Sequence, residues 1–236
     1  AVTCNKANVR ILGGGPTPKS AIWTAPTVAG SWCLKITANY VEVANIYFEP
    51  VVYTSSGTPS GIYLSGANWA YIHDCRFQGQ VGSRVAIYSP VCDSDNVHIA
   101  RVEFFYMNTA TYGQAILGVE ADGLSYSGWV IEDCILFSCL LGININGRGC
   151  TIEGCIFQEY GISPAGAITQ YLTTAIDLSG TSSGCNMVFG NQFPGDYSTA
   201  RFVPGASGDV WVGNFCDDVE ETEVGDNGIS IANPAA

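Results

Sequence analysis

Three ionisable residues, Asp74, Arg101 and Asp133, stand at one place in a short motif that the chain repeats, and Glu132 and Glu153 stand one place earlier in two successive copies. Carboxylates recurring along one edge could do acid–base work. A pair about 5 Å apart suits a retaining glycosidase and a pair about 6.5–9.5 Å apart an inverting one. Like charges at such range also push one pKa up, which supplies a proton donor. Asp74, Arg101, Glu132, Asp133 and Glu153 therefore form the candidate catalytic or sugar-binding set. The same residues can instead be read as a solvated ladder of alternating charge, worth little to stability, or as the seat of a bound cation, because the carboxylates outnumber the one arginine. No other cofactor is called for. Tyr47, Tyr63, Tyr71 and Tyr88 fall on outward positions of the early copies, and Tyr53, Tyr106 and Tyr112 in intervening loops. His73 and His98 lie in neighbouring copies and as a pair make a poor metal site. Tyr63, Tyr71, Tyr88 and His98 are the candidate ligand-binding residues: a row of aromatic faces suits a neutral or acidic sugar chain, and equally an oligomer interface. The chain carries no G-x-G-x-x-G, P-loop or H-E-x-x-H motif, and Gly13-Gly14-Gly15 precedes a proline and opens no helix.

The element that must position these residues is the repeated motif itself. It reads VEVANIYF from Val41, AYIHDCRF from Ala70, VHIARVEF from Val97, WVIEDCIL from Trp129, CTIEGCIF from Cys150 and, more weakly, NMVFGNQF from Asn186. Successive copies are offset by 29, 27, 32, 21 and 36 residues, so the rungs hold while the loops vary. A second ladder precedes each copy, in Leu34-Lys-Ile36, Ile62-Tyr-Leu64, Ala86-Ile87, Ala115-Ile116, Ile143-Asn-Ile145 and Ile176-Asp-Leu178. Alternating apolar residues in short strands, returning every ~20–35 residues, are what a stacked parallel solenoid requires. A β-sandwich would not repeat V-x-I-x-x-C-x-F in one frame. Two residues between the inward Ile152 and the inward Cys155 make a bend, and Asp74 and Asp133 should lie two rungs apart, roughly 9–10 Å along the axis.

Composition bounds the rest. The 236 residues hold 9 Lys plus Arg against 21 Asp plus Glu, a net charge of −12 that disfavours nucleic acid as a partner. No run approaches the ~18 apolar residues of a membrane-spanning helix. Of the 10 cysteines, Cys75, Cys134 and Cys155 share a column with Ile46 and Val102, and Cys150 shares one with Val41 and Val97. They read as buried small hydrophobes. The competing reading is a disulfide framework, with Cys134–Cys139 or Cys150–Cys155 as short-loop pairs, and no C-x-x-C occurs to favour metal. Long loops at 49–61, 105–114, 118–128 and 158–174 are rich in Tyr, Ser, Thr and Gly, and in solenoids such insertions carry the binding surface.

The rungs VEVANIYF, YIHDCRF, VHIARVEF, WVIEDCILF and CTIEGCIF resemble the right-handed parallel β-helix of pectate-lyase-like proteins and phage tailspikes, over roughly residues 34 to 215. The resemblance implies an all-β, right-handed, single-stranded parallel β-helix of about 6–8 coils. Residues 1–33 are expected to be an N-terminal cap and first irregular coil, 34–216 the β-helix, and 217–236 an acidic cap or inter-subunit tail. Pectate lyases of this fold use clustered calcium-binding Asp residues and a basic catalytic residue, which Asp74, Arg101 and Asp133 could imitate. Tailspikes are typically homotrimers that bind or cleave bacterial surface polysaccharide and keep their core cysteines reduced. The first functional expectation is accordingly a viral or phage-like spike or fibre, trimeric, on the virion surface or extracellular, contacting a glycan and other virion proteins and neither nucleic acid nor the membrane interior. The alternatives are a secreted polysaccharide lyase or glycoside hydrolase, and a purely structural β-helix or capsid decoration.

Overall fold

Each copy of the motif folds as strand, corner, strand, with the large apolar residues turned inward. In the computed structural model the residues described are 2–15, 21–24, 31–49, 60–79, 85–90, 93–105, 113–118, 126–158, 160–162, 168–170, 174–180, 183–194, 200–204, 208–216 and 228–231. They form three long parallel sheets, each strand pairing with its counterpart one coil away. Sheet A contains Trp32–Ile36, Ser60–Leu64, Val85–Ser89, Gln114–Gly118 and Leu141–Ile145 among its eight strands. Sheet B contains Arg10–Leu12, Glu42–Ala44, Tyr71–His73, His98–Ala100, Val130–Glu132 and Thr151–Glu153 among nine, and sheet C contains Tyr47–Glu49, Arg76–Gln78 and Glu103–Phe105 among eight. This is the stacked parallel β-helix expected. The stack reaches one strand beyond eight coils because Gly228–Ile231 pairs in parallel with Asp209–Val212, inside the segment read from sequence as a cap or tail. At the other end Val2–Cys4, Arg10–Leu12 and Ile22–Thr24 already supply one strand to each sheet.

The inward columns are continuous. Leu34, Ile62, Ile87, Ile116, Ile143 and Ile176 align down sheet A, and Val43, Ile72, Ile99, Ile131, Ile152 and Val188 down sheet B, all essentially inaccessible. In sheet C the rings themselves stack, Phe48 on Phe77 at 4.6 Å and Phe77 on Phe104 at 5.4 Å between centroids. Spacing close to the ~4.8 Å between strands lets each ring cover the next without a gap.

The corners are set by backbone conformation. The turn from sheet A to sheet B places Asn8, Tyr40, Trp69, Asn96, Gly128, Gly149, Cys185 and Gly208 at positive φ, and the turn from sheet B to sheet C does the same for Asn45, Asp74, Arg101, Asp133, Gly154, Gly190 and Gly213. From Tyr40 onward every member of the first column is followed by a member of the second 5 residues later. The left-handed region is where Gly and Asn sit at least cost, which explains the small and polar residues read from sequence as a simple bend.

Seven cysteines, Cys4, Cys33, Cys75, Cys134, Cys139, Cys150 and Cys155, are buried and free, so neither short-loop disulfide forms. Burial pushes the thiols of Cys33, Cys75 and Cys150 up to about 12. Toward the C-terminal end the two cysteine columns become amide ladders. Asn191 takes the place of Cys155: its Oδ1 accepts the Cys155 N–H at 2.9 Å, its Nδ2 donates to the Ile152 carbonyl at 3.0 Å, and its own backbone N–H donates to Asn214 Oδ1 at 3.0 Å. Asn186 repeats this beneath Cys150, with Asp209 completing it.

Candidate functional site

Outward residues of sheet B lie in two rows. One runs Glu42, Tyr71, His98, Val130, Thr151, and the other Ala44, His73, Ala100, Glu132, Glu153. Because facing residues on neighbouring strands are in contact range, this register gathers side chains from coils 27 to 34 residues apart. Tyr71 is the centre: its ring stacks on His73 at 4.1 Å and on His98 at 4.7 Å. Arg101, at the corner, donates from Nε and Nη2 to the two carboxylate oxygens of Asp74 at 2.8 and 2.9 Å, and Nη2 lies 3.4 Å from the Tyr71 hydroxyl.

Asp74 therefore differs from its sequence expectation. It does not share a proton with a second carboxylate; the hydrogen-bonded Arg101 guanidinium holds it down to about 2, a committed anion. Arg101 turns to Asp74, one coil below, leaving Asp133 exposed on the other side. His73 spans two carboxylates, Nδ1 at 2.6 Å from Asp74 and Nε2 at 3.2 Å from Glu42, and Glu42 is paired in turn with the exposed Arg10 at 2.6 Å. With both ring nitrogens engaged, His73 fixes Tyr71 from below and is not placed to exchange a proton with a ligand.

His98 is placed otherwise. Its Nε2 faces Glu132 Oε1 at 2.8 Å, and its side chain is 37% accessible. A carboxylate can only accept there, so Nε2 carries the proton and Nδ1 is the acceptor in the neutral ring. Glu153 lies next to Glu132 on the following strand. Its partial burial, then the negative charge of Glu132 and of Asp133, raise it above the ordinary carboxylate range. Glu153 is thus the carboxyl of this face that is shifted upward, by burial first and like charge second. Among the described residues no group of three or more His, Cys, Asp or Glu is arranged to hold a metal ion.

The candidate ligand-binding residues divide between two faces. Tyr71 and His98 belong to sheet B, whereas Tyr63 and Tyr88 lie on sheet A, edge-on at 5.7 Å, with Trp32 at 4.7 Å from Tyr63 and the Lys35 ammonium 5.0 Å from the Tyr63 ring. Tyr47 is buried, its hydroxyl donating to Gln78 Oε1 at 2.8 Å. Tyr53, Tyr106 and Tyr112, and most of the four long loops, lie outside the described residues. Arg10, Glu42 and the orienting role of His73 escaped the sequence reading. The signal was there in part: Glu42 occupies in its copy the position that Tyr71 and His98 occupy in theirs.

Among solved structures, the fold is similar to a crystal structure of alginate lyase from Paenibacillus sp. str. FPU-7, with a TM-score of 0.64 over 97% of this chain and 84% of that one, at 15% sequence identity. At that identity the likeness is one of fold. No protein-family model matches the sequence, and no curated protein matches it.

Proposed function

We propose that sheet B of this β-helix binds a uronate-bearing polysaccharide across Tyr71 and cleaves it by β-elimination. The observation that carries this reading is the His98–Glu132 pair at 2.8 Å, stacked on Tyr71 beside the Arg101 guanidinium. β-Elimination needs three things: a cation to hold the uronate carboxylate, a base for the proton on the carbon next to it, and a donor for the departing glycosidic oxygen. Arg101 supplies the first through the N–H groups not used on Asp74. His98 Nδ1, oriented by Glu132, takes the proton. The Tyr71 hydroxyl returns one to the leaving oxygen, with Glu153 as the reserve donor further along the face. The C–H and C–O bonds break, one C=C bond forms, and no water is consumed. The fold of an alginate lyase on a chain of this length is consistent with the chemistry.

The test is an assay on alginate and polygalacturonate, following the ultraviolet absorbance of the unsaturated product. His98→Gln and Glu132→Gln are each expected to lower kcat by about 100-fold or more while melting normally. A wild-type chain that forms no unsaturated ends on any uronate polymer sinks the cleavage reading.

A second reading keeps the polysaccharide and drops the chemistry: a trimeric spike or fibre module of a virion. The seven buried free thiols favour it, since unpaired cysteines in number fit assembly in a reducing compartment. Light scattering coupled to size exclusion decides the assembly. Three times 25.0 kDa is expected for the spike, and a mass of one chain removes the trimer.

A further inference from the structure

We infer that Tyr40 and Trp69 form a stacking wall for one pyranose ring of the polysaccharide, beside the candidate site. Both are exposed, at 52% and 48%, and their rings stack at 5.1 Å with planes 9° apart. Both also stand at positive φ, 57° and 54°, in the corner column otherwise occupied by Asn8, Asn96, Gly128, Gly149, Cys185 and Gly208. A bulky aromatic residue is disfavoured in that conformation. Neither ring is needed by the core, so stability does not account for two aromatics where Asn or Gly would be easier.

The backbone beneath them is held firmly. Asn39 Oδ1 accepts from Asn68 N at 3.2 Å, Asn68 Oδ1 from Asp95 N at 2.6 Å, and Asp95 Oδ1 from Ser127 N at 2.8 Å. The corner residues join the same ladder, Tyr40 N donating to the Asn68 carbonyl and Trp69 N to that of Asp95. The rings are thus presented rigidly, which lowers the entropy lost on binding.

Tyr40 backs one face of Trp69. The other face is turned along the column toward Asn96 and Gly128, an exposed amide and a residue without a side chain. That step, an indole wall over a small polar floor, lies in the coil that carries His98 and Arg101. A flat apolar face with hydrogen-bonding groups at its foot is what a sugar ring needs, its C–H face on the indole and its hydroxyls on the amide. Charge favours the same end, because Arg10 and Arg101 offset Glu42 and Asp74 in the early coils while the carboxylates Glu132, Asp133 and Glu153 crowd together further on. The occupant is therefore a sugar of the chain that crosses Tyr71, and the inference rests on sheet B as the polysaccharide face.

The experiment is titration of oligosaccharides of alginate and of polygalacturonate into wild type, Trp69→Asn and Tyr40→Asn, read by calorimetry, with melting temperature and light scattering on each. Asn occupies the same column at Asn8 and Asn96, so both variants should fold and melt no lower than wild type. Affinity should fall roughly tenfold or more for Trp69→Asn and less for Tyr40→Asn, which only supports the wall from behind. Wild type that binds while Trp69→Asn binds equally overturns the wall alone. Wild type that binds neither polymer overturns the wall together with the sheet B reading. Intact affinity with loss of self-association in Trp69→Asn would make the pair a subunit contact and overturn the wall as well.

Discussion

At the scale of single residues, the carboxylates of the corner divide by partner. Asp74 is locked by Arg101 and held down to about 2. Its contribution to stability is present above the unfolded value of about 4 and is lost as the pH falls through that window toward 2. Glu153 runs the opposite way. Burial and then Glu132 raise it, so folding favours its protonation relative to the unfolded chain, and stability is lost as the pH rises from the unfolded carboxylate value through the raised folded one. Asp74→Asn should therefore lower the melting temperature at neutral pH, by a pair worth on the order of 1 kcal/mol for groups this exposed, with the difference narrowing under acid. Glu153→Gln should raise it at neutral pH, with the gain shrinking as wild type is acidified below about pH 4. Melting curves across pH for both variants check the signs.

At the scale of elements, the columns inside the helix do different work at the two ends. In the middle coils the position is filled by Cys134 and Cys155, small and apolar, with sulfur against carbonyls such as that of Ile131 at 3.8 Å. From Asn191 onward it is an amide that serves donor and acceptor in adjacent coils at once. Asn191→Ala removes acceptor and donor together and leaves the Cys155 N–H and the Ile152 carbonyl buried without them. It is expected to destabilise the protein by about 2–4 kcal/mol, measured by denaturant unfolding.

At the scale of the whole molecule, the parallel stack makes stability a sum over contacts between neighbouring coils, and the free thiols report on its integrity. Of the eight cysteines whose side chains are described, only Cys185 is exposed. A thiol reagent should modify Cys185 quickly in the native protein, and Cys33, Cys75, Cys134, Cys139, Cys150 and Cys155 only as the chain unfolds, since burial raises several of these thiols and shields all six. Peptide mapping after timed alkylation reads this directly. Early modification of Cys134 or Cys155 would mean that the core opens locally.

What the sequence determined by itself was the rung. Alternation with period two, together with a recurring Ile-x-x-Cys-x-Phe frame, marks the inward residues whatever lies between the copies, because each inward side chain must meet its own kind one coil away. The columns of Val43 and Ile72, of Phe48 and Phe77, and of Cys134 and Cys155 were all legible in this way, as was the common corner position of Asp74, Arg101 and Asp133. The tertiary structure decided which outward residues meet. The choice of Arg101 for Asp74 over Asp133, the clamp of His73 between Asp74 and Glu42, and the separation of Tyr63 and Tyr88 from Tyr71 depend on which sheet each strand joins and on the direction in which each corner turns. Outward side chains face solvent, where no packing rule constrains their type, so their spacing along the chain carries the register and not the partner.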